Sequence, residues 1–136
     1  MHAGEEMYYS SSFDYNPIIN IAGETIGFAI RADIENSQHP LDAKRNRCTM
    51  CLLSIFYSKK GIDAGCELLS KYAKENSFSI LMSNYSGNVW NMEAGGMSGF
   101  WDKNGKLVAA LDSENEGLLI IEKIESGWMQ EKHIKK

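Results

Sequence analysis

The sequence predicts an α/β domain in which strands and helices alternate and antiparallel strands follow. Three observations support this: apolar runs at 25–30 and 49–56, an amphipathic stretch at 61–76, and an Asn-Gly turn at 104–105. Continuous apolar runs are typical of strands that are buried on both faces of a sheet. The resulting β-α-β-α-β series implies parallel strands joined by right-handed crossovers.

The first half of the chain contains three predicted strands and two predicted helices. A short strand covers Pro17 to Asn20, and a turn separates it from a buried strand at Thr25 to Ile30. A helix is predicted over Pro40 to Asn46, because proline is tolerated in a first turn, where its missing N–H would have no partner. A second buried strand, Thr49 to Phe56, precedes an amphipathic helix from Gly61 to Asn76.

The second half changes to antiparallel strands. Asn76 is a candidate for a left-handed helix cap, and Phe78 to Ser83 is the third buried strand. Asp102-Lys103-Asn104-Gly105 predicts a hairpin, because Asn-Gly adopts the positive φ that tight turns require. The remaining predicted strands are Gly96 to Trp101, Lys106 to Leu111 and Gly117 to Ile124. The tail from Ser126 is interpreted as a docking extension.

Length and charge limit the possible classes of protein. The 136 residues suit one domain, which we take as a single partial domain at 1–136 with a C-terminal extension at 126–136. The net charge of −4 argues against nucleic acid as a partner. No apolar run approaches the ~20 residues that cross a bilayer, and Met1 to Glu6 lacks the features of a signal peptide. We therefore expect a cytoplasmic protein with no membrane partner.

The three cysteines are interpreted as buried, reduced and structural. Cys48 and Cys51 form a C-x-x-C, which is typical of a redox pair or of half a zinc site. A zinc site needs four ligands, and neither Cys66 nor the histidines supply a second paired spacing. On a strand, three-residue spacing directs the two thiols to opposite faces. Neither a metal nor a cofactor is expected.

Several segments, in one order along the chain, resemble those of a known enzyme family. The segment 26–34, Ile-Gly-Phe-Ala-Ile-Arg-Ala-Asp-Ile, resembles the G-x-x-I-C-A-D-I strand and elbow of the carbon–nitrogen hydrolases, the nitrilase superfamily. Leu69 to Asn76 resembles the family's A-x-E-N helix end, and Ser83 to Gly87 its A-N-x-x-G strand end. Gly95 to Gly105 resembles its G-x-S-x-x-x-D-x-x-G hairpin. The resemblance covers nearly the whole chain and corresponds to the family's C-terminal half.

The resemblance implies a fold and a chemistry. The fold would be half of a nitrilase-type α-β-β-α sandwich. The family hydrolyses C–N bonds other than peptide bonds, in small nitriles and amides, and uses a glutamate, a lysine and a cysteine. The cysteine thiolate attacks the carbon, the glutamate moves protons, and the lysine stabilises the developing negative charge. An apolar inner sheet face left exposed by half a sandwich predicts a homodimer.

The chain departs from the family at its catalytic positions. The family's nucleophilic cysteine aligns on Arg31, whose guanidinium stays protonated and cannot act as a nucleophile. Gly4-Glu5 resembles the setting of a second glutamate, but no lysine precedes it, and the half with the general-base glutamate is absent. The resemblance therefore implies a truncated, catalytically impaired hydrolase, with Glu5 retained at the catalytic site.

Three further residues are candidates for binding the substrate. Asp33 either orients backbone donors near the elbow or caps the following helix. Tyr57 and Asn84 follow predicted strands, and ligands in such sheets bind at the strands' carboxyl ends. Arg31 itself could pair with Glu5 or Asp33. The alternative function is a non-catalytic binding or scaffolding module that pairs with another chain or holds a small carboxylate at Arg31.

Overall fold

A computed structural model of the chain describes residues 18–135, apart from the side chain of Ala32. Glu5 and the predicted strand start at Pro17 lie outside the described residues. The helices are α1 (Arg31–Glu35), α2 (Gln38–Arg45) and α3 (Ile62–Asn76). The strands are β1 (Ile19–Ile21), β2 (Glu24–Ile30), β3 (Met50–Ser54), β4 (Ser79–Ser83), β5 (Asn88–Val89), β6 (Met92–Glu93), β7 (Gly99–Trp101), β8 (Leu107–Ala110), β9 (Gly117–Ile124) and β10 (Gly127–Ile134).

Six strands form one mixed sheet in the order β1-β2-β3-β4-β7-β8. The central strands β2, β3 and β4 are parallel, and β1, β7 and β8 pair antiparallel to their neighbours. This arrangement confirms the predicted α/β class, with a β-α-β-α-β series followed by antiparallel strands. Because parallel strands end at the same edge, the residues that follow β2, β3 and β4 lie together.

The core lies between the sheet and the helices. Ala29, Leu53 and Met82 are register partners on adjacent strands, and all three are buried. On α3, Leu69 and Ala73 are buried in the same cluster. Side chains alternate between the faces of a strand, so these residues form one apolar layer against the helices.

The opposite face of the sheet is covered in part by β9 and β10, which pair into a two-stranded ribbon. Trp128 of β10 packs edge-on against Phe100 of β7, with ring centroids 4.8 Å apart. Lys123 of β9 pairs with Glu24 at the start of β2. The tail from Ser126, interpreted from the sequence as a docking extension, therefore contains a regular strand that contacts the sheet.

The structure differs from the sequence prediction in three local features. The helix α1 was not predicted at all. The left-handed cap of α3 is Ser77 (φ 57°) and not Asn76, because Asn76 is buried and its amide donates to the Tyr72 carbonyl oxygen at 2.9 Å. Only Gly105 of the 102–105 turn adopts a positive φ, since the Asp102 carboxylate accepts the N–H of Asn104.

The expectation that Cys48 and Cys51 point to opposite faces was wrong. Cys48 precedes β3 and does not belong to it, so strand alternation does not relate the two side chains. A Cβ added at Gly27 would lie 3.0 Å from the Cys48 Sγ and 3.8 Å from the Cys51 Sγ. Both thiols are free and buried around this glycine. Burial raises the pKa of Cys51 to about 12, with a contribution from Cys48.

Candidate functional site

Arg31, Tyr57 and Asn84 follow β2, β3 and β4 respectively, at the carboxyl edge of the parallel strands. Ligands bind at this edge in α/β sheets of this kind. The structure thus brings three of the five residues selected from the sequence to one edge. Asp33 lies in α1 beside Arg31, and Glu5 is outside the described residues.

Arg31 is the first residue of α1 and directly follows β2, so it occupies a strand-to-helix elbow. Its Nη2 and Nε donate to the Glu35 Oε1 at 2.6 and 3.2 Å, one helical turn away. Its Nη1 donates to the Phe56 carbonyl oxygen at 2.9 Å. The side chain is 45% exposed. The sequence analysis expected Glu5 or Asp33 as the partner of Arg31. Glu5 lies outside the described residues, and the carboxylate that accepts these hydrogen bonds is that of Glu35.

Asp33 closes the first turn of α1. Its Oδ2 accepts the backbone N–H of the N-cap residue Ile30 at 2.9 Å, and the Ile30 side chain makes no capping hydrogen bond in return. This contact fixes the direction in which the chain leaves β2. It therefore helps to place Arg31 at the edge of the sheet.

Tyr57 lies beneath Arg31 and is 5% exposed. The Arg31 Cζ sits 5.0 Å from the centroid of the Tyr57 ring, a cation–π distance. Burial raises the pKa of Tyr57, and the positive charge of Arg31 opposes that rise. The ring supports the guanidinium from below, so a ligand at this edge would meet Arg31 before it met Tyr57.

Asn84 joins three segments of backbone. Its Oδ1 accepts the N–H of Tyr57 at 2.9 Å, and its Nδ2 donates to the carbonyl oxygens of Tyr57 and Gly96 at 3.3 and 2.8 Å. Its own N–H donates to the Ser98 Oγ at 3.0 Å. The amide is therefore committed to holding the loops after β3 and β4 in register, and the sequence did not indicate this.

An aromatic cluster at the same edge was missed by the sequence reasoning. It consists of Phe56, Tyr85 and Trp90; the Phe56 ring centroid lies 5.7 Å from each of the other two. Phe56, predicted as the last residue of a buried strand, is only half-buried, and Trp90 is 75% exposed. The available signal was a tryptophan in the short segment Asn88-Val89-Trp90-Asn91, which has asparagine at both ends.

Within residues 18–135, no group of three or more His, Cys, Asp or Glu side chains is arranged to hold a metal ion. None of the described helices is long and apolar enough to cross a membrane. Among the described residues, the edge offers the guanidinium of Arg31, its carboxylate partner Glu35 and the aromatic rings.

No protein-family model and no curated protein matches this sequence. Solved structures do match. The chain is similar to Nit3 of Saccharomyces cerevisiae, a member of the nitrilase superfamily, with a TM-score of 0.69 and 18% identity over 78% of this chain and 40% of that one. It is also similar to an amidase of the nitrilase superfamily from Nesterenkonia AN1, with a TM-score of 0.63 and 18% identity over 72% of this chain and 37% of that one.

A third similar structure is the glutamine-dependent NAD⁺ synthetase of Acinetobacter baumannii, with a TM-score of 0.73 and 19% identity. The match covers 82% of this chain and 22% of that one. The chain therefore has the fold of part of a carbon–nitrogen hydrolase of the nitrilase type. It spans less than half the length of each of these relatives.

Proposed function

We propose that this chain is a partial carbon–nitrogen hydrolase of the nitrilase and amidase type whose own residues do not supply the nucleophile. The complete unit would act on C–N bonds other than peptide bonds in small amides or nitriles. One observation carries the proposal: Arg31 occupies the strand-to-helix elbow at the carboxyl edge of a nitrilase-type sheet. The resemblance of segment 26–34 aligns the family's cysteine on this residue.

The chemistry of the Arg31 side chain supports the proposal that catalysis is impaired in this chain. In one structure of the Nesterenkonia amidase, the acetamide moiety of fluoroacetamide is covalently added at the active site cysteine. A guanidinium stays protonated and has no electron pair to offer a carbon. In this chain it is also held by Glu35 and by the Phe56 carbonyl oxygen. Arg31 can donate hydrogen bonds, and it cannot form the covalent intermediate.

The remaining catalytic groups are proposed from the resemblance alone. Glu5 stands in the Gly-Glu setting that follows the family's lysine, while the lysine and the general-base glutamate would come from a complementary N-terminal half. The match covers 40% of Nit3, so the unmatched part of Nit3 is long enough to contain such a half. Turnover would need both the restored cysteine and that half.

The test combines Arg31→Cys with the N-terminal half of a nitrilase-type amidase, co-expressed as a second chain. Co-elution of the two chains establishes assembly before ammonia release from acetamide, butyramide and a panel of nitriles is measured. We expect turnover with Arg31→Cys and none with the unmodified chain or the matched control Arg31→Ala. Equal turnover by the unmodified chain would contradict impairment, and no turnover by any assembled pair would contradict the assignment of the elbow.

A second candidate function is a non-catalytic binding or scaffolding module. It is favoured by apolar side chains exposed on the sheet and the ribbon, among them Ile19, Ile21, Leu118 and Met129. Exposed apolar patches of this kind mark interaction surfaces, and a homodimer through the sheet face is the expected form. A small carboxylate at Arg31 is less well supported, because Glu35 already neutralises the guanidinium.

A further inference from the structure

The aromatic cluster of Phe56, Tyr85 and Trp90 presents rings to solvent, and the backbone of Phe56 contacts Arg31. The Phe56 ring is tilted by 58° to Tyr85 and by 55° to Trp90, so its two neighbours pack around it. Tyr85 is 52% exposed and Trp90 is 75% exposed. Soluble proteins normally bury most of such rings, since each aromatic side chain carries a large apolar area.

Trp90 is held in this exposed position by its hairpin. Trp90 and Asn91 form the two-residue loop between β5 and β6, and both have positive φ (50° and 60°). This conformation suits glycine and asparagine, and it is unusual for a bulky aromatic residue. Such strained residues persist where the surrounding structure fixes them, and they concentrate at functional sites.

The base of the hairpin supplies that restraint. Lys59 donates its backbone N–H to the Glu93 carbonyl oxygen at 2.8 Å, and its Nζ pairs with the Glu93 Oε1 at 2.6 Å. The N–H of Ala94 donates to the Gly87 carbonyl oxygen at 2.8 Å. The hairpin is thus tied to the loop after β3, which also carries Phe56.

The size of the exposed surface fits a small molecule better than a protein. The exposed parts of Tyr85 and Trp90 amount to about 300 Å², taking the aromatic side chains at 150–250 Å² each. A stable protein interface buries roughly 800 Å² on each partner. A molecule with one planar ring can stack on part of this surface, whereas a protein interface would need more than twice its area.

Arg31 provides the polar end of the same site. Phe56 connects the two parts, because its carbonyl oxygen accepts from Arg31 and its ring contacts Trp90. The hydrogen bonds within residues 18–135 use three of the five N–H groups of the guanidinium, so two can donate to a ligand. Because Glu35 balances the charge, an uncharged carbonyl oxygen is a better acceptor here than a carboxylate, which Glu35 would repel.

We propose that the aromatic cluster and Arg31 form one site for a small aromatic amide, with its ring on Trp90 and its carbonyl oxygen on Arg31. This inference rests on the proposed function, since it takes the carboxyl edge of the sheet as the ligand-binding edge. It goes further by naming the ligand's class. Trp90 is then the residue that selects a ring over an aliphatic group of the same size.

The test measures binding of three matched probes to the unmodified chain by saturation-transfer NMR titration. Phenylacetamide carries the ring and the amide, cyclohexylacetamide lacks the flat ring, and phenylacetate replaces the amide with a carboxylate. We expect phenylacetamide to bind most tightly. Trp90→Ala should weaken the binding of phenylacetamide about three- to tenfold, as expected for the loss of one aromatic contact. Trp90→Phe should retain most of the affinity. Leu41→Ala, at an exposed apolar residue of α2, is the matched control and should leave the affinity for phenylacetamide unchanged.

Circular dichroism and thermal melting of Trp90→Ala establish that the variant is folded. Equal affinity for phenylacetamide and cyclohexylacetamide, or unchanged binding by folded Trp90→Ala, would overturn the proposal. So would tighter binding of phenylacetate, or a shift from dimer to monomer on sedimentation of Trp90→Ala. Acetamide turnover by the assembled Arg31→Cys chain, together with no preference for phenylacetamide by the unmodified chain, would leave the proposed function standing and remove this inference alone.

Discussion

At the scale of single residues, Arg31 is the most informative position. Its place after β2 is fixed by the strand and by the Asp33 cap, whereas its contacts with Glu35 and the Phe56 carbonyl oxygen depend on a helix that the sequence did not predict. The i,i+4 spacing of Arg31 and Glu35 is visible in the sequence, and it becomes a contact only once α1 is known.

Gly65 is a second residue with a defined structural role. A Cβ at this position would lie 2.7 Å from the Cε2 and Cζ of Tyr57. We expect Gly65→Ala to destabilise the fold by about 1–3 kcal/mol, because overpacking outweighs the gain of up to roughly 1 kcal/mol in helix propensity. Urea unfolding measures this change. In a Tyr57→Leu background the same substitution should cost much less, and equal cost in both backgrounds would exclude the ring as the cause.

At the scale of elements, Asn84 holds together the loops after β3 and β4. Asn84→Ala removes one acceptor and two donor contacts, and it leaves the backbone groups of Tyr57 and Gly96 without these partners. We expect a loss of about 2–4 kcal/mol in the free energy of unfolding. Asn104→Ala in the exposed 102–105 turn is the control and should cost far less. Similar losses for the two variants would contradict the role assigned to Asn84.

The ribbon is joined to the sheet partly by Glu24 and Lys123. Burial raises the pKa of Glu24, but hydrogen bonds from Lys123 and Thr49 outweigh burial, so the pKa lies below its ordinary value of 4.5. A carboxyl with a lowered folded-state pKa stabilises the fold above its unfolded pKa, and this contribution is lost as the pH falls through the folded-state pKa. Stability should therefore decline on acidification below 4.5.

Lys123→Met should flatten that acid dependence, as followed by urea unfolding from neutral pH downward. Lys132→Met, in the same ribbon and without an ion pair among the described residues, is the matched control and should keep the dependence of the unmodified chain. Identical pH profiles for all three proteins would show that the Glu24–Lys123 pair does not link the ribbon to the sheet.

The elements show what a sequence can and cannot predict here. The strands at 25–30, 49–56 and 78–83 were recognisable because continuous apolar runs are required where both faces of a sheet are covered. The five residues of α1 were too few to show a helical period. The aromatic cluster was not predicted, because Phe56, Tyr85 and Trp90 are far apart in the sequence. The position of Trp90 also depends on the turn at 90–91, whose positive φ values the sequence does not favour.

At the level of the whole molecule, we propose that the sheet face that the ribbon covers only in part is a dimer interface. Phe28 and Leu52 of this face are half-buried, and Ile19 at its edge is exposed. We expect a dimer in sedimentation experiments, with binding of a hydrophobic dye rising as dilution dissociates it. A compact monomer that binds no dye would contradict this.

We propose that residue 31 stands where a nitrilase-type enzyme carries its nucleophile. The most direct measurement treats the assembled Arg31→Cys chain with fluoroacetamide and locates the covalent adduct by peptide mass spectrometry. We expect an acetamide adduct at residue 31, with Cys48, Cys51 and Cys66 unmodified. An adduct on one of those three cysteines, with residue 31 unmodified, would contradict it.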